Sequence, residues 1–227
     1  MPFLLLFSSG TKNQSSLYNI LVRELSSILI FLGRTLIALS LISLFLIFYP
    51  VLKLELQYWI LGPSKGSVVS LDEIKGKKVI KPLDESFGIV IPKIRANSKI
   101  VAEVNPYKER EYQLALTRGV AHAKSTGYPG QGKNIFLFSH SSVDFYNAAR
   151  YNSIFYLLEK LENNDEIYIF YKGEKYKYKV SEKKIVAADA VSYINLKSNI
   201  EQLTLMTCWP PGTTYKRLLV IATLSKN

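Results

Sequence analysis

The chain has one cysteine, Cys208, and only two histidines, His122 and His140. One cysteine excludes an intrachain disulfide. Two histidines and one thiol, widely separated, lack the ligand spacing of a metal centre, so no metal is expected. No phosphate-binding loop, dinucleotide fingerprint or serine elbow occurs, so no nucleotide or redox cofactor is expected. There is no internal repeat and no low-complexity tract. Acidic residues are also scarce: 18 Asp and Glu stand against 29 Lys and Arg, a net charge of +11. Such an excess suits nucleic acid, anionic lipid, an anionic cell wall, or simply a well-solvated basic surface. A lone cysteine is ordinarily a small buried apolar residue. Outside the cytoplasm it flags intermolecular pairing or a reactive thiol, so the compartment decides how Cys208 is read.

One long stretch has no charge at all. After a mixed segment, 1–34, with an apolar run at Pro2–Phe7, residues 35–52 read TLIALSLISLFLIFYPVL. As a helix this run of about 18 residues covers roughly 27 Å, enough for a bilayer core. It is apolar on every face, which disfavours a buried helix of a soluble protein. Phe48, Tyr49, Tyr58 and Trp59 cluster at its far end like an interfacial belt. Lys12, Arg23 and Arg34 precede it against Glu24 alone. The positive-inside rule then puts the N-terminus in the cytoplasm and the remainder outside. The span starts late and has no small-residue cleavage site behind it, so it reads as an uncleaved single-pass anchor in membrane lipid. A domain outside the cytoplasm disfavours nucleic acid, so no nucleic-acid partner is expected.

Residues 53–86 hold Gly62, Pro63, Gly66, Gly76 and Pro82 without a sustained period, and read as a linker. From residue 87 to 227 the signals are those of an all-β domain. Phe87–Ile94, Ser98–Val104, Asn134–Ser139, Leu203–Thr207 and Arg217–Leu224 are apolar strand runs. Asp165–Tyr171 and Glu174–Lys184 form a hairpin about Lys172-Gly173, with lysines alternating against Tyr176, Tyr178 and Val180. Pro106–Leu116 and Ser153–Leu161 have helical spacing, and Gly119–Lys124 leads His122 into a loop. Seven or eight short strands with two small helices predict a barrel or sandwich.

Cys208 stands where one strand stops, Arg217 where the next begins, and His140 directly after Asn134–Ser139. A thiol attacks as thiolate, a histidine can take or return the proton, and a cation can steady an oxyanion. Each residue also has a bland reading: a buried cysteine, an exposed histidine, a surface arginine. Taken from the residues alone, both readings stand.

The stretch TLMTCWPPGTTYKRLLVIA, from Thr204, resembles the TLxTC…R signature of sortases, the membrane-anchored cysteine transpeptidases of bacteria. FGIVIPKI resembles the opening strand of that family. GVAHAKSTGYPGQGKNIFLFSH resembles the block running through a PGxxGN-like loop to the catalytic histidine. The match covers about Phe87 to Leu224. Ser139 and Ser141 depart from the glycine and the basic or amide residue common beside that histidine. The short Cys208–Arg217 connection looks most like the D- and E-type classes.

The resemblance implies an eight-stranded β-barrel with short helices behind a transmembrane helix. It maps the nucleophile to Cys208, the acid/base to His140 and the substrate-orienting arginine to Arg217. Thr207 matches a position that helps hold substrate or oxyanion, and His122 one outside the catalytic trio, structural or supporting. It implies cleavage of a Leu-Pro-x-Thr-Gly sorting signal on surface proteins. It also implies transfer to an amine of a cell-wall precursor or pilin lysine, without a cofactor. An L,D-transpeptidase is disfavoured because Thr207 replaces the glycine of its His-Gly-Cys signature. The alternative of another class is a non-catalytic barrel of this type that binds peptide or wall polymer.

Overall fold

The computed structural model describes residues 9–62, 73–74, 77–78, 80–141, 154–194 and 200–225. The chain divides into two compact units, Met1–Tyr49 and Pro50–Asn227. Helix α1 runs from Ser9 to Leu61 without a break. Within it Leu21–Tyr49 has mean hydropathy 2.3 and no buried residue, long and apolar enough to cross a membrane. The expected span of 35–52 was cut at Arg34 by its charge. The helix passes through Arg34, because a straight-chain arginine is a good helix former.

The linker expected over 53–86 is more structured than its composition suggests. Helix α1 occupies it to Leu61, and a short antiparallel hairpin pairs Glu73–Ile74 with Lys77–Lys78. Residues 63–72 lie outside the described residues, as do 1–8 with the Pro2–Phe7 run. Near its end the segment is strapped to the barrel by Asn97, whose side chain accepts from Leu83 N at 2.9 Å and donates to Lys81 O at 3.1 Å. Gly88 permits this: a Cβ there would sit 2.1 Å from the Asp84 carbonyl oxygen.

The strands are β1 Phe87–Ile91, β2 Ala96–Val104, β3 Val120–Ala123, β4 Asn134–Phe138, β5 Glu166–Tyr171, β6 Glu174–Ala187, β7 Gln202–Trp209 and β8 Lys216–Leu224. They close into an eight-stranded barrel in the order β8-β6-β5-β1-β2-β3-β4-β7. Closure leaves no edge strand in the barrel. Two pairings, β2–β3 and β4–β7, are parallel and the other six antiparallel. Helix α2, Glu109–Leu116, makes the crossover between the parallel strands β2 and β3. His122 therefore lies on a strand, not in a loop. Gly119–Lys124 is short, and its pairing with Ile100–Val104 comes from outside the local sequence. The helix expected over 153–161 is a turn ending in a 3-10 segment, Leu158–Lys160, and its first residue lies outside the described residues.

Period-two alternation sorts most apolar side chains into an inner and an outer group, with Val90, Tyr168 and Phe170 in a small third cluster. Ile89, Ile91, Ile135, Leu137, Leu203, Leu205, Leu218 and Val220 fill the barrel with Tyr178 and Val180 from the hairpin. Their neighbours Ala121, Ala123, Phe136, Phe138 and Met206 face outward and are covered by Ala115 and Leu116 of α2 and by Ile194. Tyr176 is only partly buried, against the inner group.

At one end of the barrel Glu201 gathers four bonds. Gly130 N donates to both carboxylate oxygens at 3.1 and 3.0 Å, Gly132 N donates at 3.0 Å, and the Tyr178 hydroxyl at 2.6 Å. Gly130 and Gly132 both have positive φ, 83° and 66°, which turns their amides toward the carboxylate. Burial first, and then the bond to Glu201, raise the Tyr178 pKa. Replacing Glu201 with Ala should destabilise the fold by about 2 kcal/mol, since hydrogen bonds to a charged acceptor are lost. Chemical denaturation reads the loss, and Tyr178→Phe should lose less because the two glycine amides keep their partner.

Candidate active site

The two apolar groups decide where the candidate residues point. On β7, Leu203 and Leu205 join the inner core, while Met206 joins the outer one. Cys208 continues the face of Met206. On β8, Leu218 and Val220 point inward, so Arg217 points outward. On β4, Phe138 belongs to the outer group, and His140 follows it at the same parity. All three therefore emerge on the outer wall of the barrel.

Pairing brings them together. Arg217 stands directly opposite Cys208 in the antiparallel β7–β8 ladder. Such pairs hold their Cβ atoms about 4.5–5.5 Å apart. In the parallel β4–β7 ladder Phe138 pairs with Met206, and Ser139 N donates to Met206 O at 3.1 Å. Continuing that register sets His140 beside Cys208. One groove of about 280 Å³ is lined by all three, with Thr207 between them.

The surroundings are ordered by backbone bonds. The hydroxyl of Thr207, buried, donates to the Ser139 carbonyl at 2.9 Å. That bond ties the residue before the histidine to the residue before the cysteine. It uses the hydroxyl's one proton, while Thr207 remains among the residues that line the groove. Arg217 Nη1 donates to the carbonyls of Thr214 and Lys216, each at 3.0 Å. The β7–β8 turn is itself closed by Thr213, whose amide and hydroxyl both donate to Pro210 O, at 3.0 and 2.9 Å. Ser139 and Ser141, the departures beside the histidine, are both buried. Cys208 is half-buried.

His122 is not in the groove. It is fully buried and points into the barrel, with the rings of Tyr128 at 4.5 Å and Phe87 at 5.6 Å. Glu103 N donates to its Nδ1 at 3.4 Å, so the neutral ring carries its proton on Nε2, which donates to Gly127 O at 3.0 Å. Burial lowers its pKa below 6.5, against the opposing effects of Gly127 and Glu103. Burial and then the bond to Glu103 push Tyr128 up to about 12.

Most of the groove wall was not singled out from sequence. Pro106 and Tyr107 before α2, Tyr112 and Leu116 on it, and Ala188, Ala190 and Ile194 after β6 line it. Tyr112 meets Phe138 edge-on at 6.4 Å. Their signal was the helical spacing of Tyr112 and Leu116, which identifies a helix without saying what it covers. Among the described residues no cluster of three or more His, Cys, Asp or Glu could hold a metal. The arrangement offers a thiol, an imidazole and a guanidinium on one side of an apolar groove. That set suits nucleophilic attack on a carbonyl carbon.

Known proteins resemble this chain in sequence and fold. Residues 89–225 match the family model described as Sortase domain. The chain is 29% identical over 162 residues to sortase D of Bacillus subtilis (strain 168), covering 69% of this chain and 73% of that protein. Sortase C-1 from Actinomyces oris superposes with a TM-score of 0.53 at 26% identity, over 64% of this chain and 76% of that one. Sortase A from Corynebacterium diphtheriae gives 0.52 at 26% identity, over 63% of this chain and 61% of that one. Against that last structure the chain spans less than two thirds of the other's length.

Thr207→Val should cost about 1–3 kcal/mol, because the Ser139 carbonyl loses its buried donor, while Thr207→Ser should lose far less. Denaturation midpoints separate the two. For His122 the folded pKa lies below the unfolded value, so the unfolded chain binds the extra proton. Stability should therefore fall as pH drops from about 7 to 5. His122→Gln should flatten that part of the stability–pH curve.

Proposed function

We propose that this chain, which belongs to the sortase family of cysteine transpeptidases, cuts a Leu-Pro-x-Thr-Gly-type sorting signal between Thr and Gly. It then transfers the acyl product to an amine on a cell-wall precursor or pilin lysine. The observation that carries the reading is the register of β7 against β8 and β4, with Cys208 opposite Arg217 and next after the ladder to His140.

In this reading the Cys208 thiolate attacks the Thr carbonyl carbon, and the electron pair moves to oxygen. Arg217, whose Nη1 is held by the turn carbonyls, turns its remaining N–H groups to the substrate and that oxyanion. The C–N bond breaks as protonated His140 gives its proton to the departing Gly amine, leaving a thioester. The incoming amine attacks the thioester and surrenders a proton to His140. The new amide forms as the C–S bond breaks and the thiolate is restored. Thr207 holds the two strands through its bond to Ser139 and lines the groove where substrate would lie.

The partners of this reading are surface proteins carrying the signal, the acceptor amine, and membrane lipid around α1. Helix α1 serves as a single-pass anchor with the N-terminus cytoplasmic and the barrel, 87–227, outside. The apolar window Leu21–Tyr49 supports the span, and Lys12, Arg23 and Arg34 ahead of the uncharged run 35–52 support the orientation.

Cys208→Ala should abolish release of a Gly-containing fragment from a sorting peptide, read by mass spectrometry. Arg217→Lys and His140→Ala should each lower kcat/KM by about 10²-fold or more. Full activity in Cys208→Ala would overturn the assignment. A thiol that resists a small alkylating agent would point instead to the non-catalytic peptide-binding barrel.

A further inference from the structure

The part of α1 that belongs to the barrel unit, Pro50–Leu61, has two unlike faces. Glu55 and Tyr58, one turn apart, are turned to the barrel. Tyr58 packs against the inner core alongside Ile154 and Tyr156. Lys160 reaches both: its Nζ is 3.8 Å from the Glu55 carboxylate and 5.9 Å from the centre of the Tyr58 ring. Burial first, and then the charges of Glu55 and Glu159, raise the Tyr156 pKa, which places that hydroxyl in the same contact.

The adjoining face carries Leu52, Leu56, Trp59 and Ile60, spaced at four, three and one residues so that they share one side of the helix, next to Glu55 and flanked on the far side by the exposed Lys53 and Gln57. All four are exposed, Trp59 at 83% and Ile60 at 63%. A single exposed leucine needs no explanation, but a row of four on a helix does. One feature identifies what covers it. The row continues, without a break in the helix, the apolar window Leu21–Tyr49. A tryptophan flanked by aliphatic residues and a lysine, Lys53, at that place suits the boundary of headgroups and acyl chains.

We infer that Leu52–Ile60 is a two-faced connector, clamped to the barrel through Glu55 and Tyr58 and laid against the lipid interface through Leu52, Leu56, Trp59 and Ile60. The segment between the apolar helix and the barrel is then a lipid-contacting part of the barrel unit and not a free stalk. This rests on the reading of Leu21–Tyr49 as a membrane span, but not on the transpeptidase chemistry.

The test uses the full chain with Cys208→Ala in vesicles of phosphatidylcholine and phosphatidylglycerol. Nitroxide labels go on single cysteines at Leu52, Leu56, Trp59 and Ile60, with Leu39 as the reference for the span. All four should collide severalfold more with oxygen than with an aqueous nickel chelate, as Leu39 does. Aqueous accessibility at the four, with Leu39 in lipid, overturns the lipid face. Aqueous accessibility at Leu39 as well overturns the span and the inference with it. The clamp is read separately by amide exchange in unlabelled protein. Glu55→Lys should speed exchange over Ile154–Leu161 severalfold, and Glu55→Lys with Lys160→Glu should restore it. Unchanged exchange in Glu55→Lys overturns the clamp. No step reads activity, so failure of the proposed chemistry stays distinguishable.

Discussion

Strand β7 is hydrogen-bonded on both sides, in parallel to β4 and antiparallel to β8, and the candidate site depends on that double pairing. The first partnership sets His140 beside Cys208, and the second sets Arg217 opposite it. A slip of one residue in either ladder would turn the shifted side chains to the other face of the wall. The register is held by burial, since Leu203 and Leu205 must stay inside with Ile135, Leu137, Leu218 and Val220. The Thr207 bond to the Ser139 carbonyl adds a local pin where the β4–β7 ladder runs out. Core packing and site geometry are thus one constraint seen from two sides of a strand.

The outer wall shows why a second apolar layer is needed. A barrel closed on itself has an inner core, yet Phe136, Phe138, Ala121 and Ala123 face away from it. Helix α2 covers them only in part. Where its cover ends, between Tyr112, Ile194 and Met206, the groove opens onto the cysteine. A low-dielectric floor beside polar groups strengthens any charge interaction made there.

Legibility in the sequence followed the range of the forces. The Lys–Tyr alternation of Glu174–Val180 and the apolar run Asn134–Phe138 are local patterns; the second strand ends where its pattern does, while the first runs on to Ala187 because β8 pairs with it that far. Cys208, His140 and Arg217 were visible as rare or flanking residues at strand ends, and the family motifs named them. What stayed hidden depends on distant partners. Val120–Ala123 is too short to announce a strand and becomes one only against β2 and β4. Glu201 looks like any acid until two glycine amides and Tyr178 close on it. Residues 53–61 read as a linker because their composition is mixed, and a mixed composition is what a helix with one face on protein and one face outward must have.

The parallel β4–β7 pairing has a further consequence, in the order in which the chain can mature. Strand β4 ends at Phe138, and its partner begins only at Gln202, after β5 and β6 have been laid down. Contacts between segments so far apart are entropically late, and folds rich in them fold slowly. The thiol, the imidazole and the guanidinium are therefore dispersed throughout synthesis and become neighbours only when the wall shuts. Because the chain has a single thiol, that slow interval offers no second cysteine for a wrong internal crosslink. Lateness of assembly and scarcity of sulfur together keep the half-made molecule chemically quiet.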